Sequence, residues 1–320
     1  MEIDVFNGDA DGICALQQLH LARPRASELV TGIKRDIDLL CRVTDRADLA
    51  GARLTVLDIS MAVNMACLQK ILAQGAKVFY ADHHKAGEIP DHPGLKHHID
   101  LRPATCTALI INDYLSGAYP GWAVAAAFGD NFHDTALKVG VENGFAEDEL
   151  ARLRELGELL NYNGYGRDLD DLHFHPADLF QALQPFADPL DFHGESPALA
   201  TLRAGFADDM ERALGQEPAE ARDSGRLYLF PAAPWARRSA GVFSNAKARE
   251  EPDKAHALLV ASGAGTFVVS VRAPLATRKG AVELCQQFAT GGGRAAAAGV
   301  NRLPEAELDT FVNAFFSGFS

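Results

Sequence analysis

One short segment constrains the fold of this chain more than any other feature of its sequence. Residues 78–84 begin as an apolar run and end in Asp82, His83 and His84. A strand that helices cover on both faces is apolar almost throughout, so its polar residues follow its end. Parallel sheets bind ligands at the carboxyl ends of their strands. The segment therefore predicts a buried strand that brings metal-binding groups to the edge of a parallel sheet.

Two earlier segments show the same pattern. Residues 3–6 form an apolar-rich run before the polar turn 7–12, and residues 54–57 form an apolar run before residues 58–60. If all three runs are parallel strands, their carboxyl ends meet at one edge. The polar side chains that would gather there are Asp9, Asp11, Asp58, Asp82, His83 and His84.

Strand and helix alternate along the first 130 or so residues. This alternation predicts an α/β fold with a doubly wound, mainly parallel sheet. The middle of the chain is predicted to be helical, and the alternation restarts near residue 225, which indicates a smaller α/β domain. We expect a first domain over residues 1–190, a linker with a connecting helix over 191–215, and a second domain over 216–320.

Composition and charge exclude some classes of function. The chain has 320 residues, of which 48% are apolar, and a net charge of −13. This charge disfavours tight, sequence-independent binding to long duplex DNA, which depends on many Lys and Arg contacts to phosphate. No stretch approaches the roughly 18 apolar residues of a membrane span. We therefore expect a cytoplasmic protein with a small anionic ligand and no membrane partner; the oligomeric state stays open.

The cysteines and one further histidine pair predict no additional site. The cysteines show no C-x-x-C spacing, which argues against a zinc ribbon and a disulfide framework and favours buried thiols. His97 and His98 lie among residues typical of loops, so we expect solvated surface there. The five cysteines are Cys14, Cys41, Cys67, Cys106 and Cys285.

The acidic residues at the predicted strand ends suit a pair of divalent metals. Two ions about 3.5–4 Å apart can share a water, lower its pKa and steady a displacement at phosphorus. Asp9 and Asp11 can each face a different ion while Asp58 bridges them, and His83 and Asp130 would complete one coordination sphere. Their four carboxylates would repel a phosphate unless about two divalent cations offset them. Oxygen-rich ligands with histidine favour manganese or magnesium.

Other residues have predicted roles around this centre. Asp82 could orient an imidazole, and His84 could contact a substrate phosphate, so both join His83 as candidate catalytic residues. Three consecutive glycines followed by Arg294 form a candidate phosphate clamp, because glycine lets the backbone N–H groups approach an anion. These glycines are Gly291, Gly292 and Gly293.

Six short motifs contain these residues: G-D-A-D-G at 8–12, L-D-I-S at 57–60, A-D-H-H at 81–84, F-G-D-N at 128–131, V-S-V-R at 269–272 and G-G-G-R-A-A-A-A-G at 291–299. In order and spacing, the first four resemble the motifs of the DHH phosphoesterase superfamily. The last two resemble signatures of its DHH-associated domain. The resemblance covers nearly the whole chain.

The resemblance implies a metal-dependent phosphodiesterase or phosphatase with its site in a cleft between two domains. It implies two Mn²⁺ ions per chain, for which Mg²⁺ or Co²⁺ could substitute. Asp9 would bind one ion and Asp11 the other, Asp58 would bridge them, and His83 and Asp130 would complete the second sphere. Arg272 and residues 291–294 would bind the substrate. The family's substrates include short RNA, cyclic dinucleotides, single-stranded DNA, polyphosphate and pyrophosphate.

The chain departs from the family pattern at two positions. Some branches place a His four residues before the first motif aspartate, where this chain has Val5; Asn7 could fill that gap as a weaker ligand. Arg294 stands where the family usually has His, and its planar guanidinium could bind phosphate or stack on a base. Arg167 lies in a segment vaguely similar to one of RecJ-type enzymes and is a further candidate for substrate binding.

Two classes of function remain open after this comparison. The first is a manganese-dependent hydrolase of short oligonucleotides or small nucleotides; a RecJ-like single-strand exonuclease is its alternative. The second is a non-catalytic nucleotide-binding sensor that kept the fold. The convergent carboxylates favour the hydrolase, because a protein that only binds nucleotides has little need for them.

Overall fold

The computed structural model describes residues 1–46 and 48–319. The chain forms two compact units, Met1–Ala204 and Gly205–Ser320. A helix of residues Pro197–Leu214 spans the division, which lies inside the segment 191–215. Among the described residues, no helix combines the length and the apolar character that a membrane crossing requires.

The first unit contains a sheet of five strands that are all parallel. The strands are β1 Glu2–Phe6, β2 Glu28–Val30, β3 Arg53–Leu57, β4 Lys77–Asp82 and β5 Leu95–Ile99. Their order in the sheet is β2-β1-β3-β4-β5. The strand that ends at Asp82 thus lies next to the one that ends before Asp58, which in turn lies next to β1. The predicted α/β fold with a parallel sheet is confirmed.

Helices cover both faces of this sheet. Ile3 and Val5 are fully buried in a cluster with Leu68 and Ile71 of the second helix. Asp4 lies between these two residues, so its side chain points to the opposite face of the sheet. There its carboxylate is hydrogen-bonded to His20 of the first helix. The helices that begin in this unit are α1 Ala10–Ala22, α2 Met61–Ala73, α3 Thr107–Tyr114, α4 Pro120–Gly129, α5 His133–Glu142, α6 Glu147–Asn163, α7 Pro176–Leu183, α8 Pro189–Glu195 and α9 Pro197–Leu214.

Two local predictions for this unit were wrong. His97 and His98 lie on β5 and pair with Tyr80 and Ala81 of β4, whereas a loop was expected. An edge strand has one unpaired side, so it tolerates polar residues that hide its strand pattern. The asparagines and glycines of residues 161–168 also predict a loop that ends the helix before residue 161. In the structure α6 continues to Asn163, whose side-chain amide is hydrogen-bonded to both backbone groups of Phe174 at 3.0 Å.

Two glycines allow α4 and α6 to pack closely and thereby place the end of α4. A Cβ added to Gly157 would lie 1.9 Å from the carbonyl oxygen of Ala125 and 2.9 Å from the backbone N of Gly129. We therefore expect Gly157→Ala to lower the free energy of unfolding by about 1–3 kcal/mol, as overpacking typically does. Urea denaturation followed by the fluorescence of the buried Trp122 measures this loss.

Gly194→Ala in α8 is the matched control for this prediction, because a Cβ there meets no atom within 4 Å. Its helical alanine should leave stability unchanged or raise it by up to about 1 kcal/mol. Equal urea midpoints for the two variants would contradict the prediction, because they would show that α4 and α6 can move apart at no cost in free energy.

The second unit contains a six-stranded mixed sheet. Its elements are β6 Glu220–Arg222, β7 Gly225–Phe230, α10 Pro234–Glu250, β8 Ala255–Ala261, β9 Thr266–Arg272, α11 Ala281–Cys285, β10 Gly291–Gly293, β11 Ala297–Pro304 and α12 Leu308–Gly318. The strand order is β10-β11-β9-β8-β7-β6, and among the described strand pairs of this unit only β7–β8 is parallel. Apolar side chains of β8 alternate between a cluster with α11 and α12 and a cluster with α10, so both faces of the sheet are covered.

The prediction for two of the cysteines was wrong. Cys41 and Cys67 form a disulfide between a 3₁₀ turn, Leu39–Val43, and α2. Their spacing carries no signal, since the contact depends on how the turn packs against the helix. Cys14, Cys106 and Cys285 are buried thiols as predicted.

Candidate metal centre

The predicted strand ends meet at the carboxyl edge of the parallel sheet. β1, β3 and β4 are neighbours, so the residues that follow them are neighbours as well. Asp9 and Asp11 lie at the start of α1, Asp58 directly after β3, and His83 directly after β4. The last turn of α4 adds Asp130 as its C-terminal cap.

Four of these side chains point their donor atoms at one small space. His83 Nε2 lies 3.4 Å from Asp58 Oδ1, 3.8 Å from Asp11 Oδ2 and 3.7 Å from Asp130 Oδ2. Two overlapping sets of donors each lie within 4.8 Å of one another: Asp11, His83 and Asp130, and Asp58, His83 and His84. This spacing suits donors that share one cation.

Helix α3 holds two of the carboxylates, a role that the sequence analysis missed. The backbone N–H groups of Thr107 and Ala108 donate to the two oxygens of Asp11, both at 2.7 Å. The Thr107 hydroxyl donates to Asp58 Oδ1 at 3.0 Å. The first turn of a helix exposes free N–H groups and a partial positive charge, so it fixes a carboxylate well. The sequence does not show this support, because the hydrogen-bonded residues lie 96 and 97 positions apart.

The backbone of Asp58 adopts a left-handed conformation with φ of +58°. Its N–H donates to the carbonyl oxygen of Ala81 at 3.1 Å, which ties the end of β3 to β4. Left-handed non-glycine residues are uncommon and cluster at functional sites, and Asp tolerates this region better than most residues. The local strain turns the Asp58 carboxylate towards the other donors.

The electrostatics of this cluster favour a bound cation. Burial raises the pKa of Asp58 well above its ordinary value, and the charges of Asp11, Asp9, Asp130 and Asp82 raise it further. Burial also raises the pKa of Asp130, more than the charge of a nearby lysine lowers it. A divalent cation would remove this repulsion, and carboxylate oxygens with one imidazole suit Mn²⁺ or Mg²⁺. The residues present therefore fit the predicted metal.

Asp82 and His84 form a pair beside the centre. Asp82 is fully buried, and its Oδ1 lies 2.8 Å from His84 Nδ1. This hydrogen bond raises the pKa of His84. The side chain of His84 is 47% exposed, so it faces the open side of the centre. Asp82 thus contacts an imidazole, and its role in orienting that ring stays a prediction.

Lys34 is the main residue of the site that the sequence analysis missed. Its ammonium forms an ion pair with Asp9 Oδ2, and it lies 3.2 Å from Asp130 Oδ1 and 2.9 Å from Asn161 Oδ1. Burial lowers the pKa of Lys34, but its interactions with Asp9, Tyr165 and Asp130 together raise the pKa well above its ordinary value. The pKa of Asp9, which burial raises, is lowered on balance by Lys34.

Asn7 lines the cavity and is hydrogen-bonded to two backbone groups. Its Oδ1 accepts the backbone N–H of Asp9 at 3.2 Å, and its Nδ2 donates to the carbonyl oxygen of Lys34 at 3.2 Å. Both ends of the amide thus bind backbone. Asn7 therefore links the start of α1 to the loop that carries Lys34, and its role as a metal ligand stays a prediction.

Of the converging donors, Asp58, His83, His84 and Asp130 line a small cavity of about 160 Å³. A larger one, about 320 Å³, lies at the opposite ends of the strands near Glu2, Arg53 and Lys77, and none of the converging donor sets found among the described residues lines it. We therefore assign the site to the smaller cavity. Its lining is Asn7, Asp9, Lys34, Ile37, Asp58, Ile59, Ser60, His83, His84 and Asp130.

Besides His84, the residues predicted to bind substrate are Arg167 in the first unit and Arg272 and Gly291 to Arg294 in the second. Arg167 is exposed and pairs with Asp168 at 2.9 Å, and it does not line the cavity. Within the second unit, Arg272 Nε donates to Asn245 Oδ1 at 2.8 Å. Gly291–Gly293 form strand β10, and Arg294 lies in the tight turn before β11. The roles of these residues in binding stay predictions.

No protein-family model and no curated protein matches this chain. Solved structures do match it. The exonuclease RecJ bound to manganese is 17% identical, with a TM-score of 0.60 over 99% of this chain and 89% of RecJ. RecJ in complex with Mn²⁺ from Thermus thermophilus is 18% identical, with a TM-score of 0.62 over 99% of this chain and 51% of that one.

A smaller solved protein matches over almost its full length. The pGpG-specific phosphodiesterase PggH from Vibrio cholerae is 14% identical, with a TM-score of 0.56 over 99% of this chain and 97% of PggH. Structural matches at identities this low show a shared fold, which agrees with the motifs at the strand ends. The chain therefore has the fold of RecJ and PggH, as the resemblance of its motifs implies.

Proposed function

We propose that this protein is a metal-dependent hydrolase that cleaves phosphate esters of short oligonucleotides or small nucleotides. The observation that carries this proposal is the convergence of Asp11, Asp58, His83 and Asp130 on one space, with carboxylates that burial and mutual repulsion make unfavourable without a cation. A divalent ion, for which we propose Mn²⁺, would act there as a Lewis acid and lower the pKa of a water molecule.

The residues of the chain have distinct tasks in this proposal. Asp11, Asp58, His83 and Asp130 would hold the ion, with the first two fixed by the start of α3. His84 is partly exposed and oriented by Asp82, and its pKa is raised by their hydrogen bond, so it would donate a proton or hydrogen bond to a substrate phosphate oxygen. A phosphate that is paired in this way gains charge-assisted bonds.

Short substrates are favoured by charge and size. The chain carries a net charge of −13, so it offers little attraction to a long polyanion. PggH, which matches over 97% of its own length, is described as specific for the dinucleotide pGpG. We therefore propose a dinucleotide or another small nucleotide as the substrate. A single-strand exonuclease is the alternative, because RecJ shares the fold.

A panel of substrates tests the proposed function. With Mn²⁺ present, we expect hydrolysis of one short substrate among a linear dinucleotide, adenosine bisphosphate, a cyclic dinucleotide, short single-stranded DNA and pyrophosphate. Processive release of mononucleotides from single-stranded DNA alone would favour the exonuclease. Tight binding of a nucleotide without turnover of any substrate would contradict catalysis and favour a sensor.

A further inference from the structure

The ammonium of Lys34 occupies a place where a second cation would bind. It contacts Asp9 and Asp130, two of the four carboxylates to which the sequence analysis assigned two ions, and it also contacts the amide oxygen of Asn161. An ammonium is a compact point charge with three donors, so three oxygens are a matching set. The lysine therefore supplies a positive charge of its own to this side of the cluster.

Asp9 has little left to offer a metal ion. Its Oδ1 accepts the backbone N–H groups of Asp11 and Gly12 at 3.0 and 3.2 Å, as the N-cap of α1. Its Oδ2 pairs with Lys34. Within the part of the chain that the structure describes, Asp9 belongs to neither set of converging donors.

Val5 and Asn7 stand at the two positions from which a further metal ligand beside Asp9 was expected. Val5 is fully buried in the apolar core and has no donor atom. Asn7 uses its amide oxygen for the N–H of Asp9. An ion beside Asp9 would therefore find few protein ligands among the described residues, and the ammonium of Lys34 would repel it.

The loop that carries Lys34 is built to hold it there. The backbone N–H of Lys34 donates to the carbonyl oxygen of Gly164 at 2.9 Å, and its carbonyl oxygen accepts Asn7 Nδ2 at 3.2 Å. The ammonium also lies 5.8 Å from the ring centroid of Tyr165, within range of a cation–π contact. Two segments, at Asn7 and at residues 164–165, thus fix the position of the charge.

We propose that Lys34 replaces one metal ion of the expected pair, so that the centre binds a single divalent cation through Asp11, Asp58, His83 and Asp130. This inference rests on the proposed metal centre but not on its substrate. The charges then sum differently: four carboxylates are offset by one divalent ion and one ammonium. The two-ion centre predicted from the sequence would be a one-ion centre with a built-in cation.

Metal counting without substrate tests this inference. The metal-free protein is dialysed against Mn²⁺, bound manganese is counted by mass spectrometry, and electron paramagnetic resonance distinguishes an isolated ion from a coupled pair. We expect one isolated ion per chain. Lys34→Met, which keeps a similar length without the charge, should bind a second ion, and Lys34→Gln should do the same if Met prevents folding.

Two further variants make the count decisive. Lys85→Met removes an exposed lysine of the loop after β4 and should leave one ion per chain. The double variant Lys34→Met, Asp9→Asn should return to one ion, because the second ion needs Asp9. Two ions in the unmodified protein, or one ion in both single Lys34 variants, would overturn the inference and leave the proposed function intact. No bound ion in the unmodified protein would overturn both.

Discussion

Asp58→Asn is expected to abolish hydrolysis, by at least about a thousand-fold in kcat/KM, and to raise the stability of the metal-free protein. The side chain is buried, and four neighbouring carboxylates raise its pKa further, so its ionised form is unfavourable without a cation. Asparagine keeps the acceptor for Thr107 and tolerates the positive φ of this position. It removes the charge that would bind the ion, and catalysis by a bound metal is lost with it.

The sign of the stability change follows from the pKa. A carboxyl whose pKa is raised on folding destabilises the folded state increasingly as pH rises from its ordinary pKa towards the raised one. At neutral pH the Asp58→Asn substitution should therefore stabilise the metal-free chain, while Mn²⁺ should raise the thermal midpoint of the unmodified protein only. Thermal melts with and without Mn²⁺ measure both effects.

Asp91→Asn is the control, since Asp91 is exposed and lies outside the cluster. It should change neither the hydrolysis rate nor the response to Mn²⁺. If Asp58→Asn retained more than about a tenth of the rate, Asp58 would not bind an essential ion.

Asp4→Ala is expected to lower the free energy of unfolding by about 3–5 kcal/mol, the cost of removing one partner from a buried charged group. Asp4 is 1% exposed and accepts from Arg25 Nη2 at 2.7 Å and Ser27 Oγ at 2.6 Å, and it pairs with His20 Nε2 at 2.7 Å. Without the carboxylate, the guanidinium and the imidazole remain partly buried without their main partner.

The contribution of Asp4 should also depend on pH. Burial raises its pKa, but its bonds to His20 and the charge of Arg25 lower it on balance below the ordinary 3.8. A lowered folded-state pKa stabilises above the unfolded value and is lost as pH falls through the folded one. The difference between the unmodified protein and Asp4→Ala should therefore shrink below about pH 4.

Urea denaturation followed by Trp122 fluorescence measures this loss, with Trp235 replaced by Phe so that the first unit alone is observed. Glu2→Ala in the same strand is the control. Its pair with Arg53 is at the surface, so its loss should change the free energy of unfolding far less than the loss of Asp4. Equal losses in the two variants would contradict a buried role for Asp4.

The sequence analysis identified the strands of the sheet and the polar groups at their ends. Apolar runs that end in acids are a local signal, and the rule that parallel strands align their carboxyl ends turned three such runs into one site. The sequence analysis predicted neither strand β5 nor the disulfide between Cys41 and Cys67. An edge strand lacks the apolar pattern, and a disulfide depends on which distant segments pack together.

Lys34 and Thr107 show the same limit inside the site. Neither lies in a motif, and each reaches the cluster from a loop or helix that is far along the chain. A sequence shows which side chains can carry charge, but it does not show which of them the loops bring into contact. The contacts of Lys34 and Thr107 with the cluster are seen only in the tertiary structure.

The sequence by itself determined the parallel sheet, the two-part organisation and the group of acids and histidines at one edge, because periodicity and strand ends are encoded locally. The tertiary structure alone decided which donor atoms converge on one space. Asp11 and Asp58 are anchored by α3, Asn7 turns to the backbone, and Asp9 pairs with Lys34. Electrostatic interactions depend on distances of a few ångströms between residues remote in sequence, so these pairings follow from the packing of loops.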